Sequence, residues 1–145
     1  MEPLGIERDK IHLQLNRMEE LLNELEEIKS SITEGELSLK DRYAYERIFQ
    51  LLVEECINLG SHIISGLALK RADTYREVFT ILKDNSLITP QTSEKMDEFV
   101  KLRNRIVHNY WRVEEEELRK KIKESHWFKR FAEEVFKALK ERELI

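Results

Sequence analysis

An all-α architecture, four to five helices packed up and down in a single domain spanning residues 1–145, is predicted on three grounds. Apolar residues recur at helical spacing along most of the chain, the primary sign of amphipathic helices. Gly (4) and Pro (2) are scarce, well short of what a turn-rich β-sandwich needs. Charged residues make up 37% against 41% hydrophobic, and the charges sit between well-spaced apolar positions, which fits solvated helix faces and not a disordered chain. A length of 145 residues suits one domain, which buries about 68–70% of its unfolded surface.

The first helix is marked by Ile11, Leu15, Met18, Leu22 and Leu25, a stripe whose wet side carries Arg17, Glu19, Glu20 and Glu24. Ser30, Ser31, Thr33 and Gly35 break it. A second helix starts at Ser38, whose hydroxyl can cap free amides, with Asp41 three residues on as a weak capping box. Its stripe runs through Ile48, Leu52, Cys56, Leu59, Ile63 and Leu67, and Gly60 with Ser61 leaves room for a close neighbour. Asp73 or Thr74 caps a short third helix with Tyr75, Val78, Phe79 and Leu82 inward, ending at Asp84, Asn85 and Ser86. Thr89–Pro90 opens the fourth, because proline is tolerated at the first helical position. Its inward set is Met96, Phe99, Val100, Ile106 and Val107. The last helix begins in the acidic run Glu114 to Glu117, where negative charge suits a helix N-terminus. It continues through Leu118, Ile122, Phe128, Phe131, Val135 and Leu139, with a bend near Ser125.

Several function classes fall away. A single cysteine, Cys56, excludes an internal disulfide framework and a multi-cysteine metal site. His12, His62, His108 and His126 lie on separate segments without ligand spacing, so neither a metal nor a cofactor is expected. No run of 18 apolar residues occurs, and residues 1–10 are too polar for a signal peptide, so a cytoplasmic protein with no membrane role is expected. With 25 Lys+Arg against 29 Asp+Glu, the net charge of −4 argues against a general nucleic-acid coat, though a local basic patch can still steer a phosphate.

Such a patch exists. Lys101, Arg103, Arg105 and Arg112 place four positive charges in twelve residues with no acid among them. Arg103 is four residues after Phe99 and three before Ile106, so a helix puts it on or beside the apolar stripe, where arginine needs a partner; Glu54 or Glu55 could supply one. His108, Tyr110 and Trp111 follow at once. Singly each has an ordinary structural role: a packing ion pair, a histidine on terminal carbonyls, half-buried aromatics with wet tips. Within ten residues together they describe a phosphate-handling site.

The segment Arg103-Asn-Arg-Ile-Val-His108-Asn-Tyr110 resembles the HEPN pattern of Arg, four to six residues, His, any residue, Tyr. The runs Val53-Glu54-Glu55-Cys56-Ile57-Asn58-Leu59-Gly60-Ser61-His62-Ile63-Ile64 and Tyr75-Arg76-Glu77-Val78-Phe79 are similar to its HepT branch, and the likeness covers roughly residues 8 to 140. Asn58 stands where relatives often carry Asp, which leaves Glu54 the better acidic candidate. The resemblance implies a homodimeric bundle that cleaves RNA without metal and is neutralised by a minimal nucleotidyltransferase antitoxin, which adenylylates the motif tyrosine, here Tyr110. His108 then serves as acid or base, because imidazole titrates near neutrality, and Arg103 holds phosphate through its planar fork. Asn104 orients phosphate or imidazole, Arg105 and Arg112 guide the strand, and Tyr110 stacks on a base or bonds a phosphate. One geometric obstacle stands: on a regular helix Arg103 and His108 lie about 140° apart. A helix ending near Val107, or a two-fold partner supplying second copies, would resolve it. The competing reading is a HEPN-like module that binds a nucleotide or a partner without cutting RNA.

Overall fold

The computed structural model describes residues 5–32, 37–108 and 113–145. It contains six α-helices: α1 (Arg8–Ser31), α2 (Leu39–Gly66), α3 (Tyr75–Asp84), α4 (Pro90–His108), α5 (Glu115–Lys123) and α6 (His126–Glu141), with no strand among the described residues. The expected bend at Ser125 is a full break. The Ser125 hydroxyl donates to the Ile122 carbonyl at 2.7 Å, ending one helix where the next begins, so the last long element is two. The bundle is otherwise the one expected.

Local capping chemistry sets the helix starts. Ser38 Oγ accepts from the Asp41 amide at 3.0 Å. Thr74 Oγ1 accepts from the Glu77 amide at 3.2 Å, which settles Thr74 as the cap, and the Glu77 carboxylate reaches back to accept from the Asp73 amide at 2.7 Å. At the start of α4, Thr89 Oγ1 accepts from the Thr92 amide at 3.2 Å. Glu134 of α6 receives the Thr89 amide at 2.8 Å and the Thr92 hydroxyl at 2.8 Å, stapling α4 to α6. Burial alone would raise the Glu134 carboxyl, but the donors from Thr89, Thr92 and Arg130 outweigh it and hold it below the usual range.

Helix α2 is central, packing on α1, α3, α4 and α6. Phe49 of α2 meets Phe99 of α4 and Phe128 of α6 at ring-centroid separations of 5.4 and 5.6 Å, and Phe99 lies 4.7 Å from Phe128. Fully buried rings of this kind supply much of a core's apolar area. Helix α5 is fastened differently, by ions: Lys121 reaches Glu98 of α4 at 3.5 Å, and Lys95 of α4 reaches Glu124, just after α5, at 2.7 Å.

Two inward assignments need correction. Tyr75 is 50% exposed and Val107 is 38% exposed. Each sits at a helix end, Tyr75 opening α3 and Val107 one residue before α4 closes, where a face at core register overhangs the packed layer. Ile48 is only partly buried, and its neighbour Phe49 holds the core position.

The gap at Gly60 is real, and α3 fills it. A Cβ on Gly60 would come within 2.5 Å of Val78 Cγ1 and 3.1 Å of Leu82 Cδ1. That close approach lies within one chain, so it is not available to a second copy. Val78 is stiff at χ1 and cannot swing aside cheaply. Gly60→Val should therefore cost about 1–3 kcal/mol through overpacking, read as a lower urea midpoint. An unchanged midpoint would show that α3 shifts freely.

Candidate functional site

Helix α2 ends in a left-handed turn at Ala68, φ 54°, where the Leu69 amide donates to the Ile64 carbonyl at 2.9 Å. Residues 68–74 follow this turn before α3 begins, with Leu69 and Ala72 packed against the core and Arg71 exposed. The second half of α2, this loop, the start of α3 and the end of α4 together enclose a groove of about 990 Å³. Arg103, Asn104 and His108 line it from α4, and Arg71 and Tyr75 face them from the other wall.

Arg103 is nearly enclosed, its side chain 13% exposed. Its Nε and Nη2 donate to Glu54 Oε2 at 3.3 and 2.9 Å, and Nη1 donates to Asn104 Oδ1 at 3.0 Å. These bonds use three of the fork's five N–H groups. Glu54 is itself steadied by Gln50, whose Nε2 donates to Oε2 at 3.0 Å. The guanidinium centre lies 5.4 Å from the Tyr75 ring centroid, within cation–π range. Of the two glutamates offered by the sequence, Glu54 is thus the partner. The arrangement fixes the plane of the guanidinium, as bidentate phosphate recognition requires.

Helix α4 runs on through His108. Arg103 and His108 nevertheless line one groove, because it wraps around the end of α4. Asn104 sits one turn before His108 and bonds Arg103, so it lies between the two. His108 is exposed at the groove mouth.

The basic run proves to be largely ion-paired. Lys101 pairs with Asp97 at 3.3 Å, and Arg76 of α3 binds the same carboxylate. Burial would raise the Asp97 carboxyl, yet these two cations hold it below the usual range. Arg105 turns away from the groove and binds Glu117 of α5 at 2.6 Å, so its place is at the α4–α5 junction. Tyr110 and Arg112 lie outside the described residues, as do Asn109 and Trp111. Among the described residues no group of three or more His, Cys, Asp or Glu could hold a metal ion, and no helix is long and apolar enough to cross a membrane.

Sequence reasoning missed Gln50, Arg71 and the groove-side role of Tyr75. The spacing of Tyr75, Val78, Phe79 and Leu82 is that of a core face throughout, so periodicity could not single out the first member. Its place at a helix start was the one available signal.

The sequence profile of the ribonuclease HepT-like family matches residues 18–135. The chain belongs to this family. Two curated HepT relatives are similar: a tRNA nuclease HepT of Aphanizomenon flos-aquae, 32% identical over 73 residues, which are 50% of each chain, and an mRNA nuclease HepT of Shewanella oneidensis, 38% identical over 61 residues, 42% of this chain and 46% of the relative. The chain thus spans about half the length of the curated HepT proteins it matches. Solved structures of the same fold extend further. The tri-AMPylated HEPN toxin of Shewanella oneidensis in complex with an MNT antitoxin superposes with a TM-score of 0.83 at 22% identity, covering 91% of this chain and 99% of that one. The cytosolic protein YutE of Bacillus subtilis gives a TM-score of 0.82 at 21% identity over 98% and 96%. This HepT-like chain therefore has the HEPN fold.

Proposed function

We propose that this HepT-like protein is a metal-independent endoribonuclease toxin that acts as a homodimer and is silenced when a minimal nucleotidyltransferase antitoxin adenylylates Tyr110. The observation that carries the reading is the pairing of Arg103, fixed in plane by Glu54 and Asn104, with His108 in one groove. RNA brings its own nucleophile, so the groove needs a proton acceptor and charge stabilisation and no Ser or Cys. His108 takes the proton from the 2′-OH, whose oxygen attacks the adjacent phosphorus. Arg103 turns its remaining N–H groups to the phosphate oxygens as charge builds there. The 5′-oxygen leaves with a proton, giving a 2′,3′-cyclic phosphate and a 5′-OH. The second copy in a two-fold dimer brings another His108 to donate that proton. The nuclease names of the two HepT relatives support RNA as substrate, and the AMPylated toxin held by its MNT antitoxin supports the mode of silencing.

The alternative, a non-catalytic module binding a nucleotide or partner, draws on one observation: Arg103 already has an internal partner in Glu54. Cleavage decides between the two. The purified protein should cut RNA in EDTA and leave 2′-O-methylated RNA intact, with light scattering showing a dimer at micromolar concentration. Loss of all cleavage in EDTA would overturn the metal-independent mechanism. Co-expression with the partner transferase should add AMP-sized mass at Tyr110, and Tyr110→Phe should abolish the gain. Mass mapped to Tyr43 or Tyr45 instead would refute the assignment.

A further inference from the structure

Two groove residues have no part in the chemistry just described. Tyr75 opens α3 with half of its surface exposed, although the residues that follow it on the same face, Val78, Phe79 and Leu82, are buried. A tyrosine exposed on a groove wall, with the Arg103 guanidinium over its ring, offers a flat surface beside the proposed phosphate position. Arg71 lies on the same wall, in the loop that follows the left-handed turn at Ala68. Arg76 and Arg103, the other groove arginines, hold Asp97 and Glu54. Arg71 makes no ion pair or hydrogen bond among the described residues, and it is exposed.

We propose that Tyr75 and Arg71 form a nucleotide subsite next to the cleaved phosphate, with Tyr75 stacking on a base and Arg71 binding the next phosphate along the strand. The proposal rests on the RNA reading above and names which part of a single strand the groove grips. Stacking on a tyrosine ring tolerates any base, because every base presents a π face. Such a subsite requires an unpaired strand, since a base within a duplex has no face to offer. The Arg103 guanidinium adds to the platform, because cation, ring and base can form one continuous stack.

The test uses a single-stranded oligoribonucleotide, made resistant to cutting by 2′-O-methyl groups and carrying an abasic ribose at each position in turn. Binding is read by fluorescence anisotropy. For the parent protein, one abasic position should weaken binding about 5- to 150-fold, the range expected for one stacked base. Tyr75→Leu should weaken binding to the intact strand by a similar factor and be indifferent to that abasic position, whereas Tyr75→Phe should behave like the parent. Arg71→Gln should flatten the plot of log affinity against log salt by about 0.7, the share of one phosphate on a single strand. A Tyr75→Leu protein that still feels the abasic position would show that Tyr75 acts only through Arg103 and overturn the stack. A salt slope unchanged in Arg71→Gln would remove the second phosphate contact. Parent protein that binds the strand but never cuts unmodified RNA would defeat the nuclease reading while leaving the subsite standing. Parent protein that binds no strand would end both.

Discussion

Replacing His108 by alanine is expected to slow RNA cleavage roughly 10²–10⁴-fold while leaving affinity for RNA within a few-fold of the parent. The split follows from position. On the proposed mechanism the exposed His108 moves a proton in the transition state, whereas the grip on the strand comes from Arg103 and the facing wall. Single-turnover rates at saturating enzyme isolate the chemical step from binding. A His108→Ala enzyme that cuts like the parent would remove the imidazole from the mechanism.

Arg103→Lys should be nearly as damaging, about 10²–10³-fold in the same single-turnover assay, although it conserves charge. An ammonium on a flexible stem cannot donate to Glu54 from two nitrogens, hold Asn104 and still offer parallel N–H groups to a phosphate. Its effect should also reach stability only modestly, since Glu54 remains 32% exposed and solvated and keeps the Gln50 amide. If both variants cut like the parent, Arg103 and His108 are structural, and the binding-module reading takes over.

Starts of helices were legible because capping is local. Ser38 and Thr74 each bond an amide three residues on, and Pro90 opens its helix by lacking an N–H, so the sequence carries the whole interaction. The need of Arg103 for a carboxylate was legible from its place on the apolar stripe, and two adjacent glutamates were named; choosing Glu54 required the packing of α2 on α4, across 49 positions of chain. The partner of Arg105 was not legible, for the same reason in reverse. Its partner Glu117 sits in a run that looks like helix-start chemistry, and nothing within the run shows which side of α4 it meets. The groove itself was invisible, because its far wall is a seven-residue loop without periodicity, spanning 68–74.

If the groove takes RNA as proposed, the ion pairs on Arg76 and Arg103 also bear on how a strand arrives. Arg76 and Lys101 share Asp97, Arg103 holds Glu54, and the whole chain carries a charge of −4. Arg71 apart, the groove arginines are neutralised where they sit, so on the RNA reading a polyanion is drawn in only weakly from a distance. Encounter is then expected near the unsteered rate of about 10⁵–10⁷ M⁻¹s⁻¹, not the 10⁸–10⁹ of a charged funnel. A nuclease working in this way would select by dwell time, with strands that fit the groove poorly departing before they are cut.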